Sequence, residues 1–542
     1  MICRNVKLTF QGTVLFAFLL IGGFPSWAQD DSFESVYARG IQLARGGNSQ
    51  QALQEFQKAA QLSPGNPKVH NMLGVVLTQL GRLKEANATY DRALSLAPDF
   101  LPARKNRAVN LFTLGDLKLS GREFEDLAKL QPKDYVPRLF LGLISIENRG
   151  FENAQRQLLD AEKLSPGNSR ILLPLIRVEF ILGERRAALE HARKMWTQLQ
   201  VVDAERFQLG VLLAQFAANP EAAAVFRDLS HRETDSYEVT FNLALAEYQS
   251  GQFEGALRTI NQYGVRAKLS GEMLNLQGWI YGKMRRLDQA IRSFRMAMEA
   301  DPQNGDHYLD LSNALQNSAD IDGAIQVVRQ GIERRIDLDR LQVQLGLLYQ
   351  KKGDPRQAES WFRQALATNT ENRSAYLALA LLMYQTNRKR ESLELLKKAL
   401  SVLPQDAFLY YLYGGQLLEE AETVGSGNLE EAMTVLNKAL ELNPLYANTY
   451  FLLGKLYAKK GDDATAESYF DKTCSFNPGH RGALWQLVLI ARQQGKKEKV
   501  AELTQRMQRL QDQSEKPESD SFLGAVQDSL RSNDSLRAKS RQ

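Results

Sequence analysis

The sequence predicts an all-α solenoid built from stacked helix–turn–helix units. Three observations predict it. Prolines that end helical patterns recur at Pro64, Pro98, Pro132 and Pro166, 34 residues apart, and Pro302, Pro404 and Pro478 return to related positions. Glycines hold one place in the first helix of many units: Gly40, Gly74, Gly142, Gly210, Gly278, Gly346, Gly414 and Gly454. Alanines hold one place in the second helix, from Ala52 and Ala86 through Ala290 and Ala358 to Ala466. A register kept over this length marks a repeat array, in which each unit buries its apolar faces only against its neighbours.

The chain begins with Arg4 and Lys7, then a largely apolar run from Leu8 to Phe24, then Ser26-Trp27-Ala28. That order of charge, apolar run and small residues is a secretory signal, so cleavage before Gln29 is expected. The alternative is an uncleaved anchor over residues 8–24. The expected address is the periplasm or outside the cell, reached through a bacterial-type leader. The net charge falls from +5 to +3 when Arg4 and Lys7 leave with the leader, too weak a balance to predict a nucleic-acid partner. Of the two cysteines, Cys3 lies in the leader and Cys474 in a late repeat. The mature chain therefore cannot form an internal disulfide, and Cys474 is expected to be a packed side chain.

Units of 34 residues run from 33 to 406. A longer unit spans 407–446, a regular one 447–480, and a more polar one 481–514, which reads as the cap that closes the array. Within each unit a glycine in the first helix admits a close approach, at up to about 1 kcal/mol of helix propensity. Aromatics at a late second-helix position (Phe56, Tyr90, Phe124, Phe226, Phe294, Phe362, Phe470) are expected to fill the space between adjacent repeats. Gly353-Asp354-Pro355 reads as turn, cap and first helical residue.

Three departures stand out. Units 169–202 and 203–236 lack the terminal proline, and Pro174 falls inside a first helix, where a kink is expected. This stretch is read as a bend or joint and as a weak point toward proteases. Residues 421–428 carry extra glycines and read as a loop. Residues 515–542 read as a polar, disordered tail, with Phe522 to Leu530 as a short helical pattern.

The best-formed unit is residues 271–304, GEMLNLQGWIYGKMRRLDQAIRSFRMAMEADPQN. It resembles a tetratricopeptide repeat, a 34-residue helix–turn–helix, and the resemblance extends from residue 33 to about 514. It implies a right-handed superhelix whose first helices line a concave groove where protein or peptide partners lie. Some relatives carry a glycosyltransferase domain or an outer-membrane barrel after the repeats, and the residues after 514 are too few to hold either. No phosphate loop, His-Glu-x-x-His pattern or Gly-x-Ser-x-Gly elbow occurs, so the reading is non-catalytic, with no cofactor and no metal.

Two groove sets follow from the resemblance. Near the N-terminus, Lys68, Asn71, Lys105 and Asn106 loosely resemble a clamp for a C-terminal carboxylate, although Val75 and Val109 stand where that clamp wants Asn; the alternative is an ordinary polar groove. Near the C-terminus, Tyr411, Phe451 and Trp485 share one position in successive units, with Phe408 nearby and Lys455 and Lys459 beside them. They read either as an exposed aromatic stripe or as rings packed between helices. The expected function is an exported protein-interaction scaffold that binds an extended peptide or protein surface in envelope or secretion-complex assembly. The alternative is a carbohydrate-associated factor in polysaccharide export or biosynthesis.

Overall fold

The computed structural model describes residues 32–198, 201–232, 236–424 and 429–513. The leader and the tail expected above lie outside the described residues, as do the glycines of the 425–428 insertion. The described residues form twenty-eight α-helices that fall into two bodies, dividing between Ser250 and Gly251.

The first body contains α1 (Phe33–Arg45), α2 (Ser49–Leu62), α3 (Pro67–Gln79), α4 (Leu83–Leu96), α5 (Leu101–Leu114), α6 (Leu117–Leu130) and α7 (Tyr135–Glu147). It continues with α8 (Phe151–Leu164), α9 (Ser169–Ile181), α10 (Arg185–Trp196), α11 (Asp203–Gln215), α12 (Asn219–Arg232) and α13 (Tyr237–Gln249). The second body contains α14 (Phe253–Arg266), α15 (Gly271–Lys283), α16 (Leu287–Ala300), α17 (Gly305–Asn317), α18 (Ile321–Glu333), α19 (Leu338–Lys352), α20 (Pro355–Thr368) and α21 (Arg373–Gln385). It continues with α22 (Lys389–Val402), α23 (Ala407–Val424), α24 (Leu429–Leu442), α25 (Ala447–Lys459), α26 (Asp463–Phe476), α27 (Arg481–Gln493) and α28 (Lys497–Gln513).

Local chemistry sets the helix ends. Asn66, Asp134, Asn168, Asn304 and Asn372 each close a unit and accept a hydrogen bond from a backbone N–H in the first turn of the next helix. These bonds satisfy donors that the helix itself leaves free. Between the two helices of a unit the chain reverses through a left-handed residue. Gly47, Gly81, Gly115, Gly353 and Gly461 take that conformation, and so, at the same place in their units, do Arg149, Ala217, Arg285, Ala319 and Asn387. The bonds Asn48 N–H to Leu43 O and Gly47 N–H to Ala44 O form a Schellman closure, which recurs as Asp320 to Leu315 and Ala319 to Gln316.

The recurrent glycines sit under rings. A Cβ added to Gly278 would meet the Phe294 ring at 2.5 Å, and one on Gly74 would meet Tyr90 at 2.3 Å. Each ring thus fills space over the glycine of its own unit, and the inter-repeat filling expected is present as well: Phe124 stacks on Phe140 of the next unit at 4.7 Å, and Phe470 shares a core with Ala483 and Leu484. The conserved-register alanines, such as Ala52, Ala256 and Ala358, are fully buried.

Two expected irregularities take different forms. Pro174 lies within α9, which runs from Ser169 to Ile181 as one helix. Around it Ile171, Leu172, Leu175 and Ile176 have no exposed surface and belong to a core that extends from Ala108 to Ala246. The connection after α10 is held by Arg206, 3% exposed, which donates to Val201 O (3.1 Å), Gln198 O (2.8 Å) and Asp228 Oδ2 (3.0 Å). This buried guanidinium meets carbonyls that a regular helix stop would otherwise satisfy, and the division between bodies comes later, at Ser250. At the other departure, Glu422 to Val424 are helical, the last turn of an eighteen-residue α23, where a loop was expected.

Candidate binding surface on the first helices

Consecutive odd-numbered helices touch: α3 and α5, α7 and α9, α15 and α17, α17 and α19, α19 and α21, α23 and α25. They carry the groove positions. Much of the polar chemistry there is spent on bonds between successive units. Asn106 Nδ2 donates to Asn71 Oδ1 at 3.0 Å, Asn110 Nδ2 to Thr78 Oγ1 at 2.9 Å, and Lys105 pairs with Asp134 at 2.8 Å. Lys68 is exposed on the first turn of α3. The structure therefore joins Asn71 to Asn106, gives Lys105 a carboxylate of the same chain, and leaves Lys68 apart from them. In the second body Asn275 donates to Asp310 (2.9 Å), Gln344 to Ser312 (3.0 Å), Gln350 to Gln385 (2.7 Å) and Tyr384 to Glu419 (2.6 Å). The Tyr384 hydroxyl is pushed up to about 12, chiefly by that bond to Glu419 and then by burial.

The aromatic positions divide into three environments. Phe408 and Tyr411, on the first turns of α23, have ring centroids 5.7 Å apart, and Tyr446 lies edge-on to Tyr411 at 5.0 Å. Arg373 stands 5.6 Å over the Phe408 ring and forms an ion pair with Asp406. Burial pushes the Tyr411 hydroxyl up to about 12. Phe451 on α25 packs 5.8 Å from the buried Phe470 ring and 4.5 Å from His480. Trp485 on α27 is 47% exposed. Phe451 and Trp485 are linked through Gly482, whose added Cβ would lie 3.0 Å from the Phe451 ring. Gly482 precedes Trp485 by three residues and so shares its helix face. Lys455 is half-buried, and Lys459 donates to Ala421 O at 2.8 Å, tying α25 to α23.

Sequence reasoning missed Tyr446 and His480. Both occupy the residue before a first helix, and His480 Nδ1 accepts from Ala483 N–H as that helix's cap. The signal was present in the turns Asn443-Pro444-Leu445-Tyr446 and Asn477-Pro478-Gly479-His480, which end alike.

A second concavity, of about 490 Å³, opens where α17 and α19 begin and is lined by Asp301, Asn304, Asp306, Asp337 and Arg340. Arg340 bridges Asp306 (2.9 Å) and Asp337 (2.5 Å). Burial raises the Asp337 carboxyl above its usual range, against the pull of Arg340. Among the described residues no cluster of His, Cys, Asp and Glu is arranged to hold a metal ion, and no helix is long and apolar enough to cross a membrane. Cys474 is buried, and burial pushes its thiol up, the environment of an unreactive side chain.

Comparison with known proteins agrees with the helix register. Models of the tetratricopeptide repeat match residues 43–108, 271–304, 349–413, 424–461 and 447–480. A human protein, Protein O-mannosyl-transferase TMTC3, is 25% identical over 225 residues, covering 41% of this chain and 24% of its own length. The chain thus spans about a quarter of that relative. Among solved structures, yeast Tom70 aligns over 86% of this chain and 96% of its own at 14% identity, with a TM-score of 0.42. YrrB, described as a TPR protein with an unusual peptide-binding site, aligns over 31% of this chain and 95% of its own at 22% identity, with a TM-score of 0.28.

Proposed function

We infer, from the chain's membership of the tetratricopeptide-repeat family, that it is a non-catalytic scaffold binding an extended peptide or protein surface along its first helices. One observation carries the reading. Most groove polar groups are satisfied within the chain, whereas a half-buried to exposed aromatic set is left at the C-terminal end: Phe408, Tyr411, Phe451 and Trp485. Large rigid rings with an apolar body lose little side-chain entropy on binding and dominate interface energetics. The leader pattern of residues 1–28 supports export, and with it a role in envelope or secretion-complex assembly. N-terminal sequencing of exported protein should begin at Gln29; a retained Met1 would instead make residues 8–24 an anchor.

The test of the scaffold is affinity capture with the full chain and a Trp485→Ala variant. A defined protein partner retained by the wild type and weakened at least about tenfold by the variant is the expected outcome, since a hot-spot ring contributes roughly 2 kcal/mol or more. Retention of polysaccharide without protein would favour the second reading, a carbohydrate-associated factor. That reading draws on the partial likeness to a protein named as a mannosyl-transferase.

A further inference from the structure

The first helices of the second body differ in charge. α15 and α17 carry Glu272, Asp306 and Asp310 against Lys283 alone. α25 and α27 carry Lys455, Lys459, Arg481 and Arg492, and neither helix holds an Asp or a Glu. Arg481 is engaged at the start of α27, where it donates to Leu510 O (3.2 Å). Lys455, Lys459 and Arg492 fall at groove positions. The groove carboxylate of the preceding first helix, Glu419 on α23, already accepts from Lys389 (2.7 Å) and Tyr384 (2.6 Å). α25 and α27 thus turn a positive face to the groove.

The repeat register sets these charges beside the exposed ring. Phe451 on α25 meets Gly482 on α27, 3.0 Å from an added Cβ. First helices of successive units run in the same direction. Lys455, one turn after Phe451, is therefore level with Gln486, one turn after Gly482. Trp485, 47% exposed, and the half-buried Leu489 stand at i and i+4 of α27, and the exposed Arg492 follows at i+7. This apolar stripe has Lys455 at its flank and Arg492 at its end. Trp485 and Arg492 are about 10 Å apart along the helix, the reach of roughly three residues of extended chain. Lys459 leans the other way and donates to Ala421 O of α23 (2.8 Å).

From this placement we infer that the C-terminal end of the groove takes an extended acidic peptide. An apolar side chain of the peptide sits on Trp485 and Leu489, and a carboxylate three residues away faces Arg492, with Lys455 beside the segment. The inference rests on the scaffold reading above and gives that partner a chemistry. The ring and Leu489 hold the segment, while the cations select its sign, because charge complementarity governs specificity and encounter more than affinity. A nucleic acid fits less well, since neutralising a phosphate backbone draws on many cations and stacked bases make no use of Leu489. The α15–α17 end of the same body, with charge of the opposite sign, disfavours such a segment.

The test uses three short synthetic peptides with blocked ends and a neutral dye. Each carries a Phe followed, three and four positions later, by a pair of Glu, Lys or Gln. Binding to the full chain is read by fluorescence anisotropy at low and high salt, for wild type, Arg492→Glu, Lys455→Glu/Arg492→Glu and Trp485→Ala. Wild type should bind the Glu peptide about tenfold more tightly than the Lys peptide at low salt, with the Gln peptide between them. High salt should narrow that ratio. The charge-reversed variants should invert the order, and Trp485→Ala should weaken all three peptides alike. Arg492 is exposed, so Arg492→Glu should leave melting unmoved, which separates lost charge from lost fold. An order unchanged by charge reversal, no binding of any peptide, or tighter binding of a single-stranded oligonucleotide than of the Glu peptide would each overturn the inference. The scaffold reading fails separately, by the absence of a captured protein. A captured partner lost with Trp485→Ala but indifferent to Arg492→Glu would leave the scaffold standing and refute the acidic partner.

Discussion

Ala319 shows how the repeat constrains single residues. It sits at φ +66° in the left-handed turn between α17 and α18, where other units place glycine, and its side chain is exposed. Removing the Cβ relieves the strain at no cost in packing, partly offset by the greater freedom of glycine in the unfolded chain. Ala319→Gly should therefore stabilise by about 0.5–1 kcal/mol, read as a rise in denaturant midpoint with an unchanged slope. His191 offers a second test. Its Nδ1 lies 2.9 Å from the Glu179 carboxylate, which is 1% exposed, and that bond raises the imidazole above its ordinary value of 6.5, reinforced by Glu162 and opposed by burial and by Lys194. A raised folded-state value means that the protonated ring stabilises the fold fully below the unfolded value. That stability is lost as pH rises through the folded one. His191→Gln should remove this dependence, so that the melting-temperature difference between wild type and variant shrinks from pH 6 to pH 8. A difference constant across that range would show that the ring is not charged in the fold.

At the scale of elements, the glycine-under-ring pairs are the packing joints of each helix hairpin. Gly278→Ala would push a methyl into the Phe294 ring, and overpacking of this kind costs about 1–3 kcal/mol. Gly282, one turn later on α15, has open space where a Cβ would go, so Gly282→Ala should be neutral or stabilising by up to about 1 kcal/mol. Opposite signs from two chemically identical changes four residues apart would locate the joint; equal effects would refute it. The aromatic positions separate by the same logic. Trp485→Ala should weaken partner capture while melting barely moves, because nearly half of its surface is already in solvent. Phe451→Ala should lower melting as well, because its ring packs on Phe470 and His480. The spacing of the two residues is alike; their surroundings differ.

At the scale of the molecule, stability belongs to neighbouring units, and the contacts gather into two bodies. Unfolding should therefore not be strictly two-state. Arg206→Met, which strips a buried cation from two carbonyls and Asp228 in the first body, should cost about 3 kcal/mol there. It should shift only the transition of that body. Trp196 reports on the first body, while Trp279, Trp361 and Trp485 report on the second. Single-tryptophan variants followed in denaturant should show non-coincident transitions. One shared midpoint that moves as a whole with Arg206→Met would mean a single cooperative unit.

The helix pairs, their 34-residue step and the places of Gly278, Ala290 and Phe294 were legible in the sequence, because an amphipathic face and its turn residues are set by neighbours a few positions away. The left-handed turn was only half legible: glycine advertises it, whereas Arg285 and Ala319 adopt it because the closed hairpin around them requires it. Other features were decided by residues far along the chain. Asn71 is not an open clamp residue because Asn106, 35 positions later, bonds to it. The stretch around Pro174 is core because α8 and α10, with α7 and α11, pack on α9, and Arg206 holds the connection that lacks a proline stop. Trp485 and Phe451 hold one position in the repeat, yet Phe451 lies against Gly482 on the following first helix while no described first helix follows α27. Periodicity assigns a residue to a face; whether that face meets solvent depends on what the fold stacks against it.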